Sequence, residues 1–207
     1  NMGISGRFSY NYDSRYFTEF NFGYNGSEKF AEDNRYGFFP SVGFGWIVSN
    51  EDWLEELNSS ITLLKLKITH GKVGNDGISS ANDRFFYLSD VNLNEGNTSY
   101  SWGLDYSNYS NGYLIYRYSN PNVTWEVAEK TNFGLELEIN KALNLQVDYF
   151  TEHRSQIYMQ RDYIPESMGL TTGISSNLGE VKSKGVDASI DYNQAFSSGL
   201  YISGRAN

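Results

Sequence analysis

The sequence predicts an all-β chain that forms a transmembrane antiparallel β-barrel, with about eight consecutive strands. Three observations predict it. The composition favours strands and turns: 17 Tyr, 13 Phe and 4 Trp stand beside 20 Gly and only 3 Pro in 207 residues. Apolar and polar residues alternate with period two, and the apolar face of each alternating run carries no charge. Short and long connections alternate along the chain, as short periplasmic turns and long outer loops do in outer-membrane barrels.

The strands follow in order. The first covers about Ile4 to Tyr12, with Phe8, Tyr10 and Tyr12 opposite Arg7, Ser9 and Asn11. After the turn Asp13-Ser14-Arg15, the second runs from Tyr16 to Tyr24, setting Thr18, Phe20, Phe22 and Tyr24 against Glu19, Asn21 and Gly23. A polar loop leads to the third, Gly37 to Val48, where Val42, Phe44 and Trp46 oppose Ser41, Gly43 and Gly45. Ser49 to Leu57 is the one helix candidate, two turns at most, with a capping residue and acidic residues in its first turn. Leu64, Leu66 and Ile68 mark the fourth strand, Ile61 to Thr69. Regularity is lost from His70 to Pro121 and returns in the fifth strand, Val127 to Ile139. The sixth is Leu143 to Tyr149, followed by a polar stretch from His153 to about Gly179. Val186 to Tyr192 is the seventh, and Leu200 to Arg205 the eighth.

A charge-free face suits lipid, because a charge at the bilayer midplane costs about 2–4 kcal/mol. Phe20, Phe44, Leu66, Leu135, Val147 and Ile190 are therefore expected to face lipid, and Glu19, Lys67, Glu136, Asp148 and Asp187 a water-filled interior. Tyr12, Trp46 and Tyr192 near the short turns, with Tyr24 and Tyr149 near the long loops, suit two interfacial girdles. Two alternatives share the alternation: a complete eight-stranded structural or adhesive barrel, and a soluble carbohydrate-binding β-sandwich.

Composition narrows the chemistry. A net charge of −9 disfavours nucleic-acid binding. Without cysteine there is no disulfide framework or thiolate chemistry, and His70 and His153 alone do not suggest a zinc site. Glu136 with Glu138, and Asp187 with Asp191, share strand faces rather than opposing each other across a cleft, so they read as lumenal residues and not as an enzyme's acid pair. Asn75, Asp76, Asn82 and Asp83 offer oxygen ligands without the spacing of a calcium loop. No cofactor, metal or catalytic residue is expected.

Five stretches in order carry a resemblance. Arg35 to Trp46 reads RYGFFPSVGFGW, with an acidic-aromatic Glu51-Asp52-Trp53 after it. Leu64 to Asn75 reads LKLKITHGKVGN, Asn120 to Glu126 reads NPNVTWE, Asn132 to Glu136 reads NFGLE, and Asn177 to Asp187 reads NLGEVKSKGVD. Together these resemble SusC/RagA-type TonB-linked outer-membrane transporters across most of residues 1–207, although Lys67 stands where that family often has Arg. The resemblance implies that residues 1–207 belong to a 22-stranded barrel domain, with the plug domain and the TonB-engaging segment before them and further strands after. It implies active import of a bulky nutrient, oligosaccharide or peptide, across the outer membrane of a Bacteroidota-like cell. The implied partners are TonB, a SusD-like lipoprotein over the mouth and a second copy of the transporter complex. Asn1-Met2-Gly3 opens without an export signal and Arg205-Ala206-Asn207 closes within a strand, consistent with an internal piece.

One segment invites a binding role. His70 to Pro121 is too long for an ordinary connection and too aromatic for disorder. Aromatic faces edged by Asn and Asp suit sugar rings or a protein partner. Among Phe85, Phe86, Tyr87, Tyr100, Trp102, Tyr106, Tyr109, Tyr113, Tyr116 and Tyr118, the four expected to meet substrate or the lid partner are Trp102, Tyr106, Tyr109 and Tyr113.

Overall fold

The structure is a computed structural model and describes residues 2–54, 60–79 and 83–207. Its strands are β1 (Met2–Tyr12), β2 (Tyr16–Gly26), β3 (Tyr36–Ile47), β4 (Ile61–Asn75), β5 (Asp90–Trp102), β6 (Asn108–Arg117), β7 (Glu126–Ile139), β8 (Leu143–Gln160), β9 (Ser175–Ala195) and β10 (Tyr201–Ala206). Eight of them form one antiparallel sheet in the order β1-β2-β3-β4-β7-β8-β9-β10. β5 and β6 make a separate two-stranded ribbon inside the long β4–β7 connection. Among the described residues there is no second layer of a sandwich, and β1 and β10 are edges of the sheet rather than partners that close a small barrel.

The eight expected sheet strands are all present, and several run further. β4 continues past Thr69 to Asn75, β8 past Tyr149 to Gln160, and β9 begins at Ser175. The ribbon was not legible as strands. The helix candidate is corrected: Val48–Asn50 and Asp52–Leu54 form single 3-10 turns, and residues 55–59 of the candidate lie outside the described ones. Glu51 separates the turns in an extended conformation (φ −81, ψ 137), so the backbone cannot continue a helix through it.

Register settles the faces. Cross-strand partners in an antiparallel sheet share a face, so Phe44–Ile68–Phe133–Tyr149–Val186 is one apolar row and Trp46–Leu66–Leu135–Val147–Ala188 the next. The six residues expected to face lipid lie on this side, and the five charged residues expected inside lie on the other. The upper limit of the apolar band steps down between β3 and β4. It is Tyr24 on β2 and Phe38 on β3, which are register partners, but Ile68, Phe133, Tyr149 and Val186 on β4, β7, β8 and β9, a single row that meets β2 at Thr18.

Stacked aromatics sit at both edges of the band. Tyr16 stacks on Trp46 with ring centroids 6.3 Å apart near the short turns, and Tyr24 on Tyr36 at 5.2 Å near the long loops. The buried hydrophobic cluster lies among the long loops rather than under the sheet. It joins Phe30, Phe86, Val123 and Trp125, with Phe39, Ile78, Val127 and Tyr158 packed around them.

Candidate functional site

The polar face of the sheet is an ion-paired wall. Lys65 reaches Glu136 at 3.1 Å, and Lys67 bridges Glu136 at 3.1 Å and Asp148 at 3.0 Å. Lys130 pairs with Glu152 at 3.2 Å, while Arg154 spans Glu152 at 3.0 Å and Glu126 at 3.4 Å. Arg7 pairs with Glu19. The Lys67–Asp148 pair crosses β7 without touching a side chain there, because the residue between them is Gly134. A Cβ at Gly134 would come within 2.0 Å of Lys67 Cε and 2.4 Å of Asp148 Oδ1. This gives the glycine of the NFGLE stretch a steric reason. The wall also carries a recess of about 740 Å³, lined in part by Arg7, Glu19, Asn21, Lys67 and Asn132.

At the long-loop end the connections are fastened to one another. The Asn177 side chain accepts from the Thr124 N–H at 3.0 Å and donates to the Thr124 carbonyl at 2.9 Å and the Gln156 carbonyl at 2.7 Å. Trp125 Nε1 donates to the Arg35 carbonyl at 3.3 Å, and Asn34 to the Pro121 carbonyl at 3.2 Å. The Phe39 ring packs edge-on against Trp125 and lies over Gly74, where a Cβ would meet it at 1.9 Å. Arg117, at the base of the ribbon, donates from both Nη atoms to Asp83 at 2.9 and 3.3 Å. It also donates from Nε to the Leu88 carbonyl at 3.1 Å and lies over the Phe86 ring at 4.3 Å.

Glu95 organises the ribbon from inside a bulge of β5. It is buried and accepts from Tyr116 at 2.6 Å, Asn92 at 3.0 Å and the Asn97 N–H at 3.1 Å. The Tyr116 hydrogen bond, then that of Asn97, holds its carboxyl below the usual glutamate range despite the opposing cost of burial.

The four residues expected to bind are all exposed on this ribbon: Trp102 47 %, Tyr106 74 %, Tyr109 61 % and Tyr113 65 %. They do not form one cluster. Trp102 stacks on Tyr100 at 5.2 Å, on the face shared with Asn108 and Ser110. By alternation along β6, Tyr109 and Tyr113 lie on the opposite face, and Tyr106 sits in the turn with φ +53. Other aromatics of the segment have structural duties. Phe86 is core, Tyr116 holds Glu95, and the Tyr118 hydroxyl accepts from the Thr171 N–H at 3.2 Å. Of the calcium candidates, Asp76 accepts from Ser27 at 2.8 Å, Asp83 is occupied by Arg117, and Asn82 lies outside the described residues. Asn177 was visible as a motif residue, but its hold on Thr124 was not, since nothing local links positions 53 residues apart.

No family model matches the chain. Among curated proteins it is 29% identical over 191 residues to TonB-dependent receptor P3 of Formosa agariphila, covering 92% of this chain and 18% of that protein. TonB-dependent receptor SusC of Bacteroides thetaiotaomicron is 29% identical over 188 residues, covering 90% of this chain and 18% of the relative. The RagAB peptide importer in its open-open state superposes over 98% of this chain with a TM-score of 0.75 at 26% identity. Over about nine tenths of its length the chain is similar to a stretch of SusC/RagA-type TonB-linked barrel. It spans about a fifth of the length of these relatives. The segment resides in the outer membrane, with the charge-free apolar band against lipid. The motifs of the segment meet in the structure: NPNVTWE is bound to NLGEVKSKGVD through Asn177, and Gly74 of LKLKITHGKVGN makes room for Phe39 of RYGFFPSVGFGW.

Proposed function

We propose that the whole protein imports a bulky nutrient, an oligosaccharide or a peptide, through the outer membrane with energy from TonB, and that a SusD-like lipoprotein covers its outer mouth. In this reading the long-loop end faces the cell exterior and the 3-10 turns at Val48–Leu54 face the periplasm. The relatives support it by name, one as SusC and one as a peptide importer. The observation that carries it is the ribbon. Loops from three connections are fastened together around Phe86 and Trp125, and from this base β5 and β6 project with both faces exposed and aromatic. Such a surface marks an interaction site. Its rigid base would spare a partner much of the cost of ordering it.

The test is alanine substitution face by face in the full-length protein: Trp102→Ala with Tyr100→Ala against Tyr109→Ala with Tyr113→Ala. Truncating a contacting aromatic typically costs about 1–3 kcal/mol, tenfold or more in affinity. One pair should lower substrate uptake or lid association by at least that factor while heat-resistant barrel migration is kept. Unchanged uptake and unchanged lid association in both pairs would reduce the ribbon to packing.

A further inference from the structure

The outward face changes character abruptly on β4, β7, β8 and β9. The apolar row Ile68–Phe133–Tyr149–Val186 is followed toward the long loops by His70–Thr131–Thr151–Lys184, and then by Lys72–Glu129–His153–Lys182. These rows lie on the same side of the sheet as the lipid-facing band, not on the ion-paired inner wall. Both histidines of a chain with net charge −9 are in them. So is a recess of about 510 Å³, lined by Thr131, Thr151, Lys182 and Lys184 with the carboxylates of Glu129 and Glu152 among them. These carboxylates and nearby Glu180 are already engaged: Glu129 by Lys72 at 2.5 Å, Glu152 by Lys130 at 3.2 Å and Arg154 at 3.0 Å, and Glu180 by His153 and by Lys182 at 3.6 Å. Lys184 has no ion pair among the described residues. On β1–β3 the corresponding edge of the band is Ile4, Tyr24 and Phe38, with no charge.

We propose that this collar seats a phosphate-bearing headgroup of an outer-leaflet lipid. The chemistry matches on both sides of the boundary. Lysine ammonium groups and threonine hydroxyls offer charge and donors to a phosphorylated sugar. Directly below them Ile68, Phe133, Tyr149 and Val186 offer a surface for the acyl chains. Continuity with the lipid-facing band is what favours a lipid over a soluble anion. The assignment rests on the outward orientation of the long loops.

The experiment uses the full-length protein in phosphatidylcholine nanodiscs, with and without monophosphorylated lipid A, and counts bound lipid by native mass spectrometry. Lys72→Gln/Lys182→Gln/Lys184→Gln should weaken lipid A binding at least tenfold, and Lys184→Gln alone should weaken it measurably if the triple variant does not assemble. Lys141→Gln, in the short turn between β7 and β8, should bind as the parent does. Parent-like lipid A binding by the collar variants overturns the proposal. So does displacement of lipid A by millimolar inorganic phosphate, which would mark a free-anion site. A failure of the orientation is read separately, from the labelling described below, and does not depend on the lysine variants.

Discussion

The Asn177 carboxamide is bonded to both backbone groups of Thr124, accepting from its N–H at 3.0 Å and donating to its carbonyl at 2.9 Å. It acts as a one-residue strand, pairing the segment that enters β7 with the start of β9. Its second N–H reaches the Gln156 carbonyl, where β8 bulges and φ is +57. Three backbone groups that no ladder serves are thus satisfied by one side chain.

Asn177→Ala should leave these groups unpaired, and Asn177→Asp should keep only the Thr124 N–H bond while facing two carbonyls. A loss of about 1–3 kcal/mol in local stability is expected. Hydrogen exchange at Thr124 and limited proteolysis of residues 115–125 should both accelerate, with barrel migration retained. Parent-like exchange would show that the clamp contributes nothing.

Gly134→Ala should separate Lys67 from Asp148, since the new Cβ falls between them. Overpacking of this kind typically costs about 1–3 kcal/mol. The denaturation midpoint of the refolded barrel checks it, and Lys67→Ala in the Gly134→Ala background should recover part of the loss. A wild-type midpoint for Gly134→Ala would mean that the lysine simply moves aside.

At the opposite end Glu51 accepts from Tyr16 at 2.6 Å, Trp46 Nε1 at 2.9 Å and Arg15 at 3.3 Å. The Tyr16 hydrogen bond, then that of Trp46, then the Arg15 charge, hold its carboxyl below the ordinary value of 4.5, against the cost of burial. A lowered carboxylate pKa stabilises the fold above its unfolded value and loses that contribution as pH falls through the folded one. The parent should therefore lose turn stability below about pH 4.5, whereas Glu51→Gln should be weaker at neutral pH and flatter through the acid range. Tryptophan fluorescence against pH measures this, and identical acid profiles would refute it.

Orientation can be read from single cysteines, because this segment has none of its own. Leu104→Cys at the ribbon tip should react with an impermeant maleimide on intact cells, and Trp53→Cys only after lysis. Both side chains are exposed. The reverse pattern would invert the topology.

The sequence by itself determined the sheet where lipid meets one face and water the other. There the contrast between Leu66 or Leu135 and Lys67 or Glu136 imposes a period of two, and the eight strands could be counted from it. The motif order was legible too. The strand ends were not. Beyond Ile68, Tyr149 and Val186 apolar residues such as Val73, Ile157 and Val181 stand scattered among polar ones, so β4, β8 and β9 continue with no regular alternation to announce them. β5 and β6 expose both faces and β5 is bulged, which erases the pattern in the same way. Tertiary structure alone decided what depends on distant partners. It divided Trp102 from Tyr109 and Tyr113, broke the helix at Glu51 by drawing it to Tyr16 and Trp46, and fastened Asn177 to Thr124. Periodicity records the solvent on each side of a strand; it does not record which remote backbone a side chain will meet once the sheet has formed.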